Sequence, residues 1–483
     1  MQRFTTQGTR LLDEHGRECI FHGVNLKDDK MLEEPPYGRL EHLDEEFFRR
    51  SQKLGFRLLR LGLMWAYIEP EKGQYNEAYL QKIDEVFALA AKYDIYIMLD
   101  MHQDLYSDFG KGNALPGKGM PYWACLTDQY EAKPQWFVWS DRYYLDKAVH
   151  RAFDHFWAND KVLGKGLQEH LAEAWQTLAR RYANQPAFFG FDLLNEPFPG
   201  TPGGKIFRKL VAKLVRVCGV SPSVHRIQFL KTALNKERRG YALDVLTPTV
   251  MGKVTKVAAG LVEKFDKEHY APFVARMIAA LREITPNGVI LLEHNYWCNL
   301  GIPFRIEPPA GEAIVYSPHG YDFLVDTPAY QFASNERTGF MFGQMAQNQA
   351  AMNVPVIVGE WGGGGEGEGF FPHISHLLDF FEARNWSNTY FTYTPGFYDQ
   401  PIMRVLARPY PRAVNGTIGS FAVDTERKIF TLDYTPRDEE LPTEIYLPNG
   451  YDNVEAGKGA RVEYEGTVLK ITERSGRIVV HYN

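Results

Sequence analysis

The segment FFGFDLLNEP, residues 188–197, is the part of the chain that decides the fold prediction. An almost continuous apolar run of this kind is typical of a parallel strand that is buried on both faces. The run ends in Asn195, Glu196 and Pro197, so polar groups stand at the carboxyl end of the predicted strand. Because barrel enzymes carry their reacting groups at the carboxyl ends of strands, the segment indicates a barrel with a polar rim.

Seven further apolar runs resemble this segment, and longer amphipathic stretches separate most of them. The runs are CIFHGVNL from Cys19, FRLLRLGLM from Phe56, IYIMLDMH from Ile95, GVILLEH from Gly288, AIVYSPH from Ala313, VPVIVGEW from Val354 and NTYFTYTP from Asn388. Eight strands that alternate with helices predict a (β/α)8 TIM barrel. An open doubly wound sheet is the alternative, but it usually has a Gly-rich phosphate loop after its first strand, and GVNLKDDK is not one.

The helical stretches show the periodicity that a barrel requires. EAYLQKIDEVFALAAKY, from Glu77, is the clearest of them. Its apolar residues at helical spacing are Leu80, Ile83, Val86, Phe87 and Ala90. We therefore expect this face to lie against the barrel.

The pattern changes near residue 404, where short runs of alternating apolar and polar residues replace the strand–helix alternation. Such runs, separated by turn residues, predict an antiparallel β-sandwich. We therefore predict a catalytic barrel over residues 1–403, with long insertions after its third and fourth strands, and a β-sandwich domain over residues 404–483. The sandwich carries no catalytic cluster, so we interpret it as a structural cap rather than a binding module.

Composition excludes several classes of function. A net charge of -6 gives no general affinity for nucleic acid. The four cysteines are scattered without CxxC spacing, which favours free thiols over a structural zinc site. The N-terminal residues lack the apolar core of a signal peptide, and no segment has about 18 uninterrupted apolar residues. We therefore predict a cytoplasmic protein without a cofactor, or a secreted one if a leader has been removed.

Polar residues end five of the predicted strands, and the barrel brings these ends together. They are Arg60 on the second strand, Asp100 to Asp104 after the third, Asn195 and Glu196 after the fourth, His319, Tyr321 and Asp322 after the sixth, and Glu360 after the seventh. For a single polar residue at a strand end, a structural role is as good an explanation as a functional one. Buried charges need partners, however, and five converging ends supply them mutually.

Glu196 and Glu360 follow nearly opposite strands, so we predict that they face each other across the barrel mouth. A retaining glycosidase uses such a pair about 5 Å apart, and an inverting one uses a pair about 6.5–9.5 Å apart. We predict the retaining reaction, with Glu360 as the nucleophile that Arg60 keeps ionised and Glu196 as the general acid/base. Glu293, which ends the fifth strand, is the alternative acid/base.

Other rim residues have predicted roles around this pair. His319 and Tyr321 are expected to hydrogen-bond near Glu360, and Asn195 to contact the sugar 2-hydroxyl, where hydrogen bonds strengthen in the transition state. No metal site is predicted, since a metal-dependent barrel hydrolase needs an HxH pair after the first strand and the segment here offers only His22.

These residues in this order resemble the signature of glycoside hydrolase family 5. The signature residues are Arg60, His102, Asn195-Glu196-Pro197, His319-x-Tyr321 and Glu360, and the resemblance extends over roughly residues 15–400. DMHQD followed by Tyr106-Ser107, the later RAFDHFWAND and the trailing β-sandwich resemble the endoglycoceramidase and glucosylceramidase branch of that family.

The resemblance implies further substrate-binding residues. In that branch an Asp after the histidine and a Lys after the first strand bind glucose hydroxyls; Asp104 and Lys27 match by position, with Lys30 as a rival for Lys27 and Gln103 as a further contact. The family usually has a Trp at the end of the eighth strand as the floor of the glucose subsite. TYFTYTPGF has none, so Tyr393 or Tyr390 is expected to substitute.

The resemblance predicts a β-glycosidase that hydrolyses a β-glucosyl linkage to a hydrophobic aglycone, as in glucosylceramide. An endoglycoceramidase that releases an intact glycan from ceramide is the first alternative. An endoglucanase or mannanase of the same family needs an open cleft, which the two long insertions disfavour. A catalytically inactive carbohydrate- or lipid-binding barrel is the alternative of another class, and the presence of both Glu196 and Glu360 disfavours it.

The insertion after the fourth strand is strongly basic. Residues 201–240 contain ten Lys or Arg and one acid, Glu237. Within it, KIFRKLVAKLVRV is amphipathic, so Lys205–Arg216 is predicted either to contact an anionic membrane surface or to be a barrel helix with a solvated basic face. In the insertion after the third strand, four aromatic residues are candidates for an apolar wall around the aglycone or for the core of a lid. They are Trp123, Trp136, Phe137 and Trp139.

Overall fold

The computed structural model describes residues 4–28, 37–107, 119–134, 139–218, 245–309, 311, 313–325, 327, 330–363, 367–438 and 440–483. Several predictions fall outside these residues: those for Lys30, Trp136 and Phe137, and those for the basic insertion beyond residue 218. Among the described residues, no helix combines the length and the apolar character needed to cross a bilayer.

The larger domain is built on a closed parallel sheet. Its strands are β1 (His22–Lys27), β2 (Leu58–Met64), β3 (Tyr96–His102), β4 (Phe188–Asp192), β5 (Val289–Leu292), β6 in two pieces (Ile314–Tyr316 and His319–Gly320), β7 (Ile357–Gly362) and β8 (Ser387–Phe391). The sheet runs in chain order and closes at β6, whose first piece pairs with β5 and whose second pairs with β7. The predicted TIM barrel is confirmed.

Helices surround this sheet. They are α1 (Glu45–Lys53), α2 (Trp65–Ile68), α3 (Glu77–Lys92), α4 (Arg142–Leu145), α5 (Lys147–Trp157), α6 (Leu167–Tyr182), α7 (Thr201–Cys218), α8 (Pro248–Thr255), α9 (Ala259–Phe265), α10 (Ala271–Arg282), α11 (Asn335–Met352), α12 (Phe371–Glu382) and α13 (Met403–Leu406). Side-chain caps start several of them; Asp44 accepts from the Phe47 amide at the start of α1, and Asn76 does the same at α3. On α3 the five predicted apolar residues are all buried.

Shorter elements complete the barrel domain. A π-helical turn (Asp266–Tyr270) joins α9 to α10, and a small hairpin pairs Lys161–Val162 with Lys165–Gly166. The 3-10 helices are Gly38–His42, Tyr122–Ala124, Trp139–Asp141, Tyr296–Leu300, Tyr330–Phe332, Glu368–Phe370 and Phe397–Asp399. Of these, Tyr296–Leu300 follows β5 and brings a residue to the barrel mouth.

The second domain consists of two antiparallel sheets, as predicted. Its strands are β9 (Tyr410–Val414), β10 (Gly416–Asp424), β11 (Ile429–Pro436), β12 (Thr443–Tyr446), β13 (Tyr451–Glu455), β14 (Arg461–Glu465), β15 (Val468–Thr472) and β16 (Arg477–Tyr482). One sheet has the order β10-β11-β16-β13. The other contains β9, β12, β15 and β14. Alternate residues from both sheets form its core, Phe430 and Leu432 from one and Ile445 and Leu469 from the other.

The N-terminal segment belongs to this second sheet by its hydrogen bonds. Three short strands, Thr5–Gln7, Arg10–Leu12 and Glu18–Cys19, extend the sheet beyond β9, and Glu18 lies opposite Val414. The predicted division at residue 403 assigned this segment to the barrel. Strands of two or three residues carry too little periodicity to reveal a partner nearly 400 positions away.

The two domains meet around the end of α1. The Tyr446 hydroxyl donates to the Lys53 carbonyl over 2.9 Å, and the Tyr410 hydroxyl donates to the Gly55 carbonyl over 2.8 Å. The Tyr410 ring also stacks on His22 of β1, with centroids 4.1 Å apart. The β-sandwich is therefore anchored to the end of α1 and its connection to β2, and it also contacts the first residue of β1.

We predict that Gly55→Ala destabilises the protein more than Gly73→Ala does. Both glycines have a φ of 79°, so both substitutions place a side chain in the left-handed region. A Cβ at Gly55 would lie 2.5 Å from a carbon of the Tyr446 ring, whereas nothing lies within 4 Å at Gly73. Urea unfolding should show a cost of about 1 kcal/mol at Gly73 and about 1–3 kcal/mol more at Gly55. Equal costs would contradict the tight domain contact.

Candidate active site

Arg60 of β2 lies at the centre of a buried polar cluster at the barrel mouth. Its guanidinium contacts four carboxylates and two amide oxygens: Asp100 at 3.1 Å, Asp192 at 2.8 Å, Glu293 at 2.7 Å, Glu360 at 2.6 Å, Asn25 at 3.2 Å and Asn195 at 3.1 Å. The side chain is 1% exposed. Because a buried guanidinium must direct its N–H groups to acceptors, this residue fixes the relative positions of five strands.

One cation does not balance four buried carboxylates, and the pKa values reflect this. Burial alone would lower the pKa of Arg60, but Asp100, Asp192 and the other carboxylates raise it well above its usual value. Burial, assisted by Asp100, raises the pKa of Asp192 to about 7 although Arg60 opposes the change. Burial and then Asp192 raise the pKa of Glu293 well above its usual value. The cluster therefore retains protons near neutral pH.

Glu360 stands on β7 with both carboxylate oxygens engaged. Oε1 accepts from Arg60, and Oε2 accepts from the Tyr321 hydroxyl at 2.9 Å. His319 Nδ1 lies 3.7 Å from the same Oε2. The structure thus brings His319 and Tyr321 to Glu360, where the sequence predicted them.

Glu196 follows β4 in an unusual backbone conformation. Its φ is 42°, which a non-glycine residue adopts only when its surroundings hold it there. Its N–H donates to Glu293 Oε2 over 2.7 Å, and its own Oε1 accepts from Asn299 Nδ2 over 2.7 Å. His319 Nδ1 lies 3.2 Å from that oxygen. Both oxygens of Glu293 are thus engaged, one with Arg60 and one with the backbone of Glu196.

Glu196 differs from Glu360 in its electrostatic environment. Burial, assisted by the negative charge of Asp104, raises the pKa of Glu196 to about 7. One side-chain oxygen of Glu196 and one of Glu360 lie within 4.8 Å of each other, and a ring nitrogen of His319 lies within that distance of both. Burial lowers the pKa of His319 to about 3, so this imidazole is neutral between the two carboxyl groups.

Within the part of the chain that the structure describes, two groups of side chains have the spacing of metal ligands. One consists of Asp192, Glu293 and His319, and the other of Glu196, His319 and Glu360. Arg60 already donates to oxygens of Asp192, Glu293 and Glu360. A divalent ion at either place would lie beside the guanidinium and be repelled by it, so we assign no metal to these residues.

A second charged group lies beside the pair, on β1 and β3. Lys27 Nζ donates to Asp104 Oδ2 over 2.7 Å, and His102 Nε2 lies 3.7 Å from that oxygen. Burial alone would raise the pKa of Asp104, but Lys27 and His102 hold it well below its usual range. Burial alone would likewise lower the pKa of His102, but Asp100 and Asp104 raise it to about 9.

Gln103 and Asn195 hold the turn that carries Glu196. Gln103 Nε2 donates to the carbonyls of Asn195 and Glu196, over 2.9 and 3.2 Å, and its Oε1 accepts from the Tyr106 amide. Asn195 Nδ2 donates to the Gln103 carbonyl over 3.1 Å, while its Oδ1 accepts from Arg60. Both amides therefore position neighbouring groups; their predicted contacts with a sugar stay predictions.

The structure does not bring Tyr393 into this cluster, which corrects the prediction for the end of β8. Its ring packs against Phe47 and Tyr398, with centroids 4.6 and 5.1 Å away, on the side of α1. Tyr390 is buried against Trp361 instead. Successive strand side chains point to opposite faces, and the chain leaves the strand before Tyr393, so neither tyrosine reaches the mouth.

Phe391 is the aromatic residue at this position of the rim. Its ring lies edge-on to Tyr321, with centroids 6.3 Å apart, and Lys27 Nζ lies 5.9 Å from its centroid. The sequence patterns did not single out Asn25, Asp192 or Asn299 as site residues. Asn25 and Asp192 interrupt apolar runs, which is a readable signal of a buried polar role. Asn299 lies in a short 3-10 helix, where no such pattern exists.

We predict that Arg60→Met destabilises the protein by about 3–5 kcal/mol at pH 7, because it leaves the buried carboxylates without their cation. Without the cation the pKa values of Asp192 and Glu293 rise further, so the folded variant binds more protons than the unfolded chain between pH 5 and pH 7. The loss in the free energy of unfolding should therefore be smaller at pH 5.

Arg337→Met is the matched control, since Arg337 is a buried guanidinium that forms a two-point ion pair with Asp322, at 2.7 and 2.9 Å. Its loss should depend less steeply on pH, because fewer carboxylates change their proton binding. Urea titrations at pH 5 and pH 7 measure the loss in the free energy of unfolding for each variant. If this loss changes equally with pH in both variants, the central role of Arg60 is contradicted.

The comparisons with known proteins agree with this geometry. Residues 12–396 match the family described as Cellulase (glycosyl hydrolase family 5), and residues 408–483 match the glycoside hydrolase family 5 C-terminal domain. The chain is 25% identical to the endoglycoceramidase I of Rhodococcus hoagii (strain 103S), over 99% of this chain and 87% of that protein.

Two further relatives have related names. The glucosylceramidase of Rhizopus delemar is 26% identical over 40% of this chain and 35% of its own length. The solved structure of an endo-glycoceramidase II from Rhodococcus sp., in complex with a cellobiose-like imidazole, has a TM-score of 0.70 and 25% identity, and covers 98% of this chain and 99% of that chain. With its barrel, its paired glutamates and its C-terminal domain, this chain belongs to glycoside hydrolase family 5.

Proposed function

We propose that the protein is a retaining β-glycosidase that cleaves a β-glucosyl linkage between a sugar and the hydrophobic aglycone of a glycolipid. The spacing of Glu196 and Glu360 carries this proposal. One side-chain oxygen of Glu196 lies within 4.8 Å of one side-chain oxygen of Glu360. An inverting enzyme needs about 6.5–9.5 Å to accommodate a water molecule, whereas a retaining one needs about 5 Å.

The different environments of the two glutamates support their different roles. Arg60 and Tyr321 both donate to Glu360, which favours an ionised carboxylate that attacks the anomeric carbon. Burial keeps the pKa of Glu196 near 7, so a large fraction of this residue holds a proton at neutral pH. Glu196 gives that proton to the aglycone oxygen as the glycosidic bond breaks.

In the second step Glu196 acts as a general base instead of a general acid. A water molecule gives a proton to Glu196, and its oxygen attacks the anomeric carbon and displaces Glu360. The released sugar retains its configuration, and both glutamates return to their starting states. His319 remains neutral throughout because burial lowers its pKa, so it bridges the pair without adding charge.

The charged group at β1 and β3 is suited to sugar recognition. Lys27 and Asp104 pair beside the glutamates and offer a donor and an acceptor to neighbouring hydroxyls. Phe391 lies beside this ion pair and beside Tyr321, so we propose it as the floor of the glucose subsite. A phenyl ring is smaller than the indole that usually fills this place, and it offers the sugar less apolar contact area.

The names of the relatives support a glycolipid as the substrate class. They are compatible with two modes of cleavage, removal of a single glucose and release of an intact glycan. We propose hydrolysis of a glucosylceramide-like β-glucoside. Release of an intact glycan is the second candidate, since the likeness to endoglycoceramidases spans nearly the full length of both chains.

Product analysis on two lipids tests these candidates. The purified protein is incubated with glucosylceramide and, separately, with lactosylceramide, and Glu360→Gln serves as the inactive control with its fold intact. We expect free glucose from the first lipid and no reaction with the second. Intact lactose from the second would establish the endo mode instead. Cleavage of neither lipid, or equal activity in the Glu360→Gln variant, would contradict the proposal.

We also propose that α7 contacts an anionic lipid surface next to the site. Over residues 201–218 the helix has five cations, Lys205, Arg208, Lys209, Lys213 and Arg216, and no acid, although the whole protein has a net charge of -6. Ile206 and Leu210 are buried, while Val211 is 41% exposed. Phe207 stacks on Tyr144 of α4, which places exposed Leu145 beside the basic helix. A basic face with exposed apolar residues suits a membrane interface.

A cytoplasmic location stays a prediction.

Reversing charge on this helix should weaken membrane binding. We expect the triple change Lys205→Glu, Lys209→Glu and Arg216→Glu to reduce co-sedimentation with vesicles of phosphatidylcholine and phosphatidylserine at least about tenfold, since each surface cation contributes about 1 kcal/mol. Activity on a soluble aryl glucoside should be unchanged. The matched control reverses Arg427, Arg461 and Arg477, which are exposed on the second domain. Equal binding of both variants would identify α7 as an ordinary solvated helix.

A further inference from the structure

Asn299 contacts the proposed acid/base directly, although nothing in the sequence patterns singled it out. It lies in the 3-10 helix after β5, and its Nδ2 donates to Glu196 Oε1 over 2.7 Å. We infer that Asn299 is a positioning residue that fixes which oxygen of Glu196 carries the proton delivered to the leaving group. This inference rests on the proposed function and adds a residue to its acid step.

A chain of buried hydrogen bonds sets the orientation of the Asn299 amide. The Phe304 N–H donates to Asn348 Oδ1 over 3.3 Å, which leaves Asn348 Nδ2 as the donor at the far end of the chain. His294 Nε2 lies 2.7 Å from Asn299 Oδ1 and 3.4 Å from the backbone nitrogen of His319, and in the tautomer that this chain sets it donates to the nearer Asn299 oxygen. His294 Nδ1 then accepts from the Tyr316 hydroxyl at 2.7 Å, and that hydroxyl accepts from Asn348 Nδ2 at 3.2 Å. Burial, and then His319, lowers the pKa of His294 to about 3, in keeping with one ring hydrogen.

This chain turns the NH₂ group of Asn299 toward Glu196. A flipped amide would set its NH₂ group against the N–H of His294, so the 2.7 Å contact would join two donors. The far end of the chain lies on α11, which carries Asn348. The amide is thus held through His294, Tyr316 and Asn348, which are all buried.

The consequence for Glu196 concerns its two oxygens. Oε1 accepts from Asn299 and has His319 Nδ1 at 3.2 Å. Among the described residues, no hydrogen bond reaches Oε2. A proton on Oε1 would meet the donor of Asn299, whereas a proton on Oε2 keeps that bond intact. The proton therefore resides on Oε2, the oxygen left open for the leaving group.

Removing this donor should change the pH profile as well as the rate. A donor to the charged carboxylate favours the charged form, so its loss raises the pKa of Glu196. For Asn299→Ala we expect the alkaline limb of the kcat/KM profile to shift to higher pH, by about half a pH unit to one pH unit. We also expect kcat/KM for an alkyl β-glucoside to fall about 10- to 100-fold at pH 6, because this leaving group needs the proton. A 2,4-dinitrophenyl β-glucoside needs none, so its kcat/KM should change less than about threefold.

A second variant keeps the test decisive if Asn299→Ala does not fold. Asn299→Asp has nearly the same shape and places a carboxylate against Glu196, so the alkaline limb should move further up than in Asn299→Ala. The matched control is Asn388→Ala, which removes another buried barrel amide, one that accepts from the Trp361 indole instead. It should leave the limb unmoved and affect both substrates equally.

The outcomes separate this inference from the function on which it rests. If the wild-type protein cleaves neither glucoside, the proposed function fails and the role of Asn299 fails with it. If the wild-type protein cleaves both, an unmoved alkaline limb in the Asn299 variants, or equal losses on both substrates, would overturn the positioning role alone. A shifted limb with a selective loss on the alkyl glucoside supports it.

Discussion

The buried guanidinium of Arg60 is the interaction on which the rest of the site depends. It ties together β1, β3, β4, β5 and β7 through carboxylates and amides that would otherwise repel one another or lack partners. Breaking such a network exposes several uncompensated buried charges at once, which is far more costly than losing one surface ion pair. The barrel mouth is therefore rigid at the place where two glutamates must keep a fixed distance.

The same constraint explains why two chemically identical side chains behave differently. Glu360 receives the guanidinium and a tyrosine hydroxyl, whereas Glu196 is buried, lies near the charge of Asp104 and receives one neutral amide. Burial with little compensation raises the pKa of Glu196, whereas Glu360 accepts two hydrogen bonds, one of them from a cation. Glu293 completes the arrangement, because it joins Arg60 to the backbone of Glu196 and holds that residue at its positive φ.

Much of the fold was readable from the sequence because buried parallel strands leave continuous apolar runs. Glu196 and Glu360 were readable for the same reason, since a carboxylate at the end of such a run needs a partner. Phe391 and Asn299 could not be predicted in this way. Their roles depend on the direction of the chain at the end of β8 and in a short 3-10 helix, and no sequence pattern indicates that direction. The prediction for Tyr393 was wrong on that ground: the chain bends outward after β8 and carries the ring to α1. The strand at Glu18–Cys19 likewise finds its partner only in the folded protein.

We propose that Glu360 forms a covalent bond to the sugar, and trapping that bond tests this role most directly. The protein is incubated with a 2,4-dinitrophenyl 2-deoxy-2-fluoro-β-glucoside and digested for mass spectrometry. The fluorine slows both steps, whereas the good leaving group speeds only the first, so the intermediate accumulates. We predict one added fluoroglucosyl group, on the peptide that contains Glu360, and none in Glu360→Gln. A label on Glu196 or Glu293, or turnover of the matching unfluorinated glucoside without any trapped intermediate, would contradict it.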